Sequence, residues 1–81
     1  MPGRKIYIGN LYCLADKENL RKLFSEYGRI VSIDMIQGTG YGYVEMSNTA
    51  EAAAAIKGLD GQEFLERMIK VKYADHPVYM Q

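Results

Sequence analysis

The strongest constraint on how this chain can fold is a pattern that occurs twice. In Ile6-Tyr7-Ile8-Gly9-Asn10-Leu11 and again in Thr39-Gly40-Tyr41-Gly42-Tyr43-Val44-Glu45-Met46, aliphatic or small residues alternate with tyrosines. A period of two belongs to a β-strand with one face packed and the other open. Tyr7, Tyr41 and Tyr43 should therefore leave the core side together and stand on one surface. A soluble protein seldom displays three aromatic rings side by side unless something flat docks on them. Nucleic-acid bases are the obvious flat partner.

The remaining segments supply a packing partner for these strands. Lys5 to Asn10 reads as the first strand, with Ile6 and Ile8 inward, and Leu11 to Ala15 as a loop. Asp16 is a natural N-cap, and Leu20, Leu23, Phe24 and Tyr27 then form one face of a helix, with Gly28 placed as a left-handed C-cap. The β-branched run from Ile30 to Ile36 is a second strand, with Ile33 and Met35 inward and Ser32 and Asp34 on the tyrosine side. Gln37 to Gly40 is a glycine-rich turn, so the second and third strands make a hairpin. Ser47 or Asn48 caps a second helix whose inward stripe is Ala52, Ala55, Ile56 and Leu59. Gly58 weakens that helix by roughly 1 kcal/mol relative to Ala. Asp60-Gly61 turns the chain, Phe64 plugs an edge of the core, and Met68 to Tyr73 is the last strand, with Ile69 and Val71 inward and Lys70 and Lys72 outward.

The order is βαββαβ. Each helix has a single apolar stripe to bury, so both must cover the same face of the sheet. Right-handed crossovers then predict an α+β, ferredoxin-like split βαβ sandwich: a four-stranded antiparallel sheet with two helices on one face. The first and third strands should be the central pair. Residues 1–4 are a lead-in, 5–74 one domain and 75–81 an irregular tail; 81 residues leave no room for a second core.

Composition narrows the function. No apolar run is long enough to span a bilayer, and Met1-Pro2-Gly3-Arg4-Lys5 has no signal-peptide character. The single cysteine, Cys13, excludes an internal disulfide and a multi-cysteine metal site, and points to a reducing, intracellular setting. No cofactor is implied, and no nucleophile is paired with a base as an enzyme would require. Ten Lys and Arg residues balance ten Asp and Glu. Domains that hold phosphates mainly by electrostatics are usually basic, so stacking or a neighbouring protein must supply much of any nucleic-acid affinity.

At these residues the chain resembles the RNA recognition motif family over Lys5 to Ala74. Ile6 to Leu11 matches that family's hexamer on the first strand at every position, and Gly40 to Val44 matches the centre of its octamer on the third. The resemblance extends to Leu20, Leu23, Phe24, Gly28, Ala52, Ala55, Ile56, Asp60-Gly61, Arg67, Ile69 and Val71. It implies a binding site for single-stranded RNA, or single-stranded DNA, on the open sheet. One base would stack on Tyr7 and the next on Tyr43, with Tyr41 against the sugars between them. Stacking contributes about 1–3 kcal/mol per base without demanding a sequence. Lys70 and Lys72 would donate to phosphates or base edges, Asn10 would orient the strand end, and Glu45 would accept from a base amino group.

Departures from the family pattern qualify this expectation. Thr39 stands where a phosphate-binding Lys or Arg is usual, Met46 where an aromatic residue is usual, and Glu66 where Gly is common. Asp34 and Glu45 place negative charge on the binding face, and the turn before Tyr41 has no basic residue. These features point to modest affinity and a short site of about two to four nucleotides. They also leave room for a protein partner or a larger parent chain. The rival expectation is a protein-interaction module of the same plan, which would bind a peptide or self-associate. Modules that bind a peptide tryptophan between the helices usually carry Arg-x-Phe before the last strand. Gln62-Glu63-Phe64 keeps the Phe without the Arg.

Overall fold

The structure, a computed structural model, describes residues 3–74. Its main sheet is built from β1 (Lys5–Gly9), β2 (Ile30–Met35), β3 (Gly42–Met46) and β6 (Lys70–Tyr73), in the spatial order β2-β3-β1-β6. All three pairings are antiparallel, and β1 and β3 are central as the sequence predicts. Helices α1 (Lys17–Phe24) and α2 (Thr49–Leu59) cover one face. The core between the layers contains Ile6, Ile8, Leu20, Phe24, Val44, Met46, Ala52, Ala55, Ile69 and Val71, all essentially without solvent exposure. Burying a side chain such as Phe24 or Leu20 contributes about 1.5–3 kcal/mol. Ala52 and Ala55 keep α2 close to the sheet. Gly58 has a packing role beyond its helix penalty, because a Cβ there would lie 2.7 Å from Cε1 of Tyr27.

Local chemistry sets the ends of the elements. Asp16 and Asn19 form a reciprocal capping box at the start of α1, with Asn19 N–H donating to Asp16 Oδ1 at 3.0 Å and Asp16 N–H to Asn19 Oδ1 at 2.8 Å. Asn48, of the two candidates, is the N-cap of α2, and its Oδ1 accepts from Glu51 N–H at 2.8 Å. Ser47 donates instead to the Glu51 carboxylate at 2.6 Å.

Several expected boundaries are corrected. Helix α1 ends at Phe24 with Ser25 as its C-cap, not at Gly28. A further turn, with Tyr27 N–H donating to Phe24 O at 2.9 Å, brings Tyr27 onto the core before Gly28 redirects the chain at φ +153°. Ile36 falls outside β2 and is exposed. A register irregularity between Ile30 and Ser32 leaves Val31 unpaired, so that Ile30 and Ile33, three apart, both pack on the core. The last strand begins at Lys70, because Met68 belongs to an extra hairpin of β4 (Glu63–Phe64) and β5 (Arg67–Met68). Its turn residues Leu65 and Glu66 have φ +52° and +69°. The expected tail, residues 75–81, lies outside the described residues.

Candidate nucleic-acid interface

The pleat and the register together assemble the open face. Lys72 on β6 lies opposite Tyr7 on β1, Tyr7 opposite Tyr43 on β3, and Tyr43 opposite Asp34 on β2. This row crosses all four strands. A second row places Lys5 beside Glu45 and Glu45 beside Ser32, and Gly9 pairs with Lys70. The helices lie on the other side, so the row is open to solvent.

The three expected tyrosines do form one cluster. The ring centroids of Tyr7 and Tyr43 are 5.8 Å apart, and Tyr41 is 6.3 Å from each. Tyr7 and Tyr41 are close to parallel at 29°, whereas Tyr43 is tilted 59° from Tyr7. Because the rings pack on one another, Tyr7 and Tyr43 are half-buried, and Tyr41 is the exposed member at 46%. Tyr41 also precedes the paired part of β3, so the turn as well as the strand holds it. Gly9 explains how Tyr7 can lie flat: a Cβ at that position would fall 2.8 Å from Cζ of the tyrosine. The ring covers the ground that a side chain two residues along the same face would need.

Charge divides the face in two. Lys5 and Lys72 each place Nζ 5.6 Å from a tyrosine centroid, Lys5 over Tyr43 and Lys72 over Tyr7. Lys70 is exposed on the same edge strand. On the other half, Asp34 is exposed and Glu45 is paired with Arg4 at 2.9 Å. Glu45 therefore faces the surface as expected, but a base amino group would have to compete with the Arg4 guanidinium. Unpaired positive charge therefore gathers over the β1–β6 half.

Asn10 ties the end of β1 to a distant part of the chain. It adopts φ +59°, one of the few non-glycine positions where a left-handed backbone is tolerated, and this turns Leu11 into the core at 3% exposure. Its Nδ2 donates to Met68 O at 2.8 Å, while its carbonyl and Oδ1 accept from Arg67 Nε at 3.1 Å and Nη2 at 2.5 Å. Asn10 thus clamps the β4–β5 hairpin to the end of β1. Arg67 and Lys5 belong to this surface and were not legible as site residues. The Arg67–Asn10 contact joins positions 57 apart, and Lys5 looks like an ordinary strand-end charge. Thr39, in place of the usual basic residue, has its hydroxyl within hydrogen-bond reach of Ile36 O at 2.7 Å and of Tyr41 O at 3.2 Å, and so serves the turn. Cys13 is exposed, and among the described residues no group of His, Cys, Asp and Glu has metal-site geometry.

Hollows flank the tyrosines. One of about 270 Å³ is bounded by Tyr7, Tyr43, Lys72, Tyr73 and Ala74, and one of about 540 Å³ lies beyond Tyr7 and Tyr41. Comparison with known proteins agrees with this architecture. The sequence pattern of the RNA recognition motif matches residues 6–70. The chain belongs to the RNA recognition motif family. Among relatives, it is 39% identical to a putative RNA-binding protein, RbpE, of Nostoc, over 85% of this chain and 76% of that one. It is 40% identical to the chloroplastic RNA-binding protein CP31B of Arabidopsis thaliana over 88% of this chain, spanning only 27% of that protein. The crystal structure of RNA Binding Protein PG1 superposes with a TM-score of 0.85 at 35% identity, covering 90% of this chain and 95% of the other. The RNA15 RRM superposes over the full length of both chains with a TM-score of 0.88, at 22% identity, and so attests the fold alone. Among the described residues no helix is long and apolar enough to cross a membrane.

Proposed function

We propose that this RNA recognition motif domain, residues 5–74, binds short single-stranded RNA on its open sheet and is a binding module, not an enzyme. One base stacks on Tyr7 and its neighbour on Tyr43, and Tyr41 packs against the sugars between them. Lys70 and Lys72 meet phosphates or base edges from the β6 side, with Lys5 beside them. Asn10 holds the strand end and Glu45 offers an acceptor at the margin. The observation that carries this is the cluster of three rings within 5.8–6.3 Å of one another on the face that the helices leave uncovered. Base–aromatic stacking there supplies about 1–3 kcal/mol per base, which lets a domain of zero net charge bind a polyanion.

Relatives named as RNA-binding proteins, and one named as a 28 kDa ribonucleoprotein of spinach chloroplasts at 36% identity, support RNA as the partner. A role in RNA processing or post-transcriptional regulation is part of the same proposal. This chain spans about a third of the spinach protein. A short site in a larger parent, or beside a protein partner, would gain affinity by linkage.

An NMR amide titration with a short randomised RNA tests the proposal. Shifts centred on Tyr7, Tyr41, Tyr43, Lys70 and Lys72, and weakened by Tyr43→Ala, are the expected result. A folded spectrum with no shifts at millimolar RNA, or shifts confined to α1 and α2, would refute it. Repeating the titration with the DNA version of the same oligonucleotide reports whether the 2′-hydroxyl matters.

A further inference from the structure

The hollow beyond Tyr7 and Tyr41 is a built place. It is bounded by Tyr7, Asn10, Tyr12, Thr39, Tyr41 and Arg67. Hydrogen bonds tie its two rims together across the chain. Leu11 N–H donates to Gly40 O at 2.9 Å, and Gln37 Nε2 donates to Leu14 O at 3.0 Å, so the β1–α1 loop and the β2–β3 turn are held to one another.

Arg67 reaches this hollow with three of its five N–H groups unused. A guanidinium carries five N–H groups in a rigid plane. Asn10 takes the side edge of that plane through Nε and Nη2. The end edge, with one N–H from each Nη nitrogen, has no protein acceptor among the described residues, and Arg67 forms no ion pair there. Asn10 is itself anchored to Met68 O, so the fork is fixed at its base. Two parallel donors match two acceptors in one plane, and on a nucleobase that pattern is O6 and N7 of guanine. A phosphate also offers two acceptors to such an edge, so the fork by itself does not choose between the two. The tyrosines that line the hollow with it, Tyr7, Tyr12 and Tyr41, favour a flat ligand over a phosphate.

Building on the RNA-binding proposal, we propose that this hollow is a base-specific subsite in which the free edge of Arg67 reads a guanine adjacent to the base stacked on Tyr7. The tyrosine platform accepts any base, and this position adds the sequence preference that stacking does not provide.

The test is fluorescence anisotropy with a short oligouridine and with variants carrying one guanosine at successive positions. One register should tighten binding roughly 5- to 150-fold, the range of a single bidentate base contact. Inosine, which keeps O6 and N7, should retain the gain at that register, and 7-deazaguanosine, which lacks N7, should lose most of it. Arg67→Lys keeps the charge and removes the fork, so it should abolish the guanosine gain, read as the ratio of the oligouridine Kd to the guanosine-containing Kd within that variant. No guanosine register, equal binding of 7-deazaguanosine, or a preference that survives Arg67→Lys would overturn the subsite. Equal weakening of every RNA by Arg67→Lys would also overturn it, by showing a phosphate contact. In each of these cases oligouridine binding that falls with Tyr43→Ala leaves the platform standing. Absence of binding to any RNA would remove both proposals. The modified bases are tested on the unaltered protein, so the outcome does not depend on how Arg67→Lys folds.

Discussion

Gly9→Ala places one methyl group beneath Tyr7 and changes no charge or hydrogen-bonding group. The added Cβ would lie 2.8 Å from Cζ and 2.9 Å from Cε2 of Tyr7. The obstacle is the far end of a side chain, so the ring moves and the ladder survives. Leaving its rotamer costs about 0.5–1.5 kcal/mol. Replacing a strand glycine otherwise gains roughly 0.5–1 kcal/mol. Stability should therefore change by less than about 1 kcal/mol in either direction, as the difference of these two effects. Binding should change far more. A displaced Tyr7 forfeits one stacked base, which is about 1–3 kcal/mol, or roughly a 5- to 150-fold weaker Kd. Isothermal titration with a short RNA, paired with urea unfolding, separates the two quantities. A double-mutant cycle isolates the cause: with Tyr7→Ala already present, Gly9→Ala should leave Kd unchanged and stabilise the fold by roughly 0.5–1 kcal/mol. Wild-type affinity for Gly9→Ala would refute the idea that the flat seat of Tyr7 sets binding. A loss that persists in the Tyr7→Ala background would show that the methyl group acts through the backbone.

Three further predictions address other parts of the molecule. Glu66 is held at φ +69° in the β4–β5 turn, where a left-handed backbone costs a non-glycine residue about 1–2 kcal/mol. Glu66→Gly removes that cost against roughly 0.5–1 kcal/mol of added chain entropy, so urea unfolding should show a net gain between zero and about 1.5 kcal/mol, and a loss would show the turn to be unstrained. The Glu51 carboxyl is held below its ordinary pKa, chiefly by the hydrogen bond from Ser47 Oγ and next by that from Arg29 N–H. Its folded value lies below its unfolded one, so its contribution is fully present above the unfolded carboxylate range and is lost as pH falls through the depressed folded value. Glu51→Gln should therefore flatten the acid limb of Tm against pH, and an acid limb parallel to the wild type would contradict the linkage. RNA affinity should depend only weakly on salt, with a slope matching one or two phosphates at about −0.7 each for a single strand. A steeper slope would point to a basic surface other than Lys5, Lys70 and Lys72.

Much of the fold was legible because its signals are local. The alternation in the two tyrosine segments, the apolar spacing of Leu20, Leu23 and Phe24, and Asp16 as a cap each follow from a few neighbouring residues. The β4–β5 hairpin was not legible, since its strands have two residues each and its turn, Leu65-Glu66, uses side chains that do not announce a left-handed backbone. The end of α1 was misplaced because Tyr27 continues the helical spacing after the helix itself has stopped at Phe24. Arg67 was noted only as part of the family pattern, and its place in the site escaped notice for a related reason. Its role depends on Asn10, and nothing in the intervening chain records that contact.

Sequence by itself determined the βαββαβ order of the main elements, the inward and outward parity of the first, third and last strands and the three rings that share the open face, because periodicity and steric preference act over a few residues. Only the tertiary structure decided the row Lys72–Tyr7–Tyr43–Asp34, the seating of Tyr7 on Gly9, the capture of Glu45 by Arg4 and the fork that Asn10 holds. Those depend on register and on loops meeting across the sheet, and such contacts exist only once distant segments have packed together.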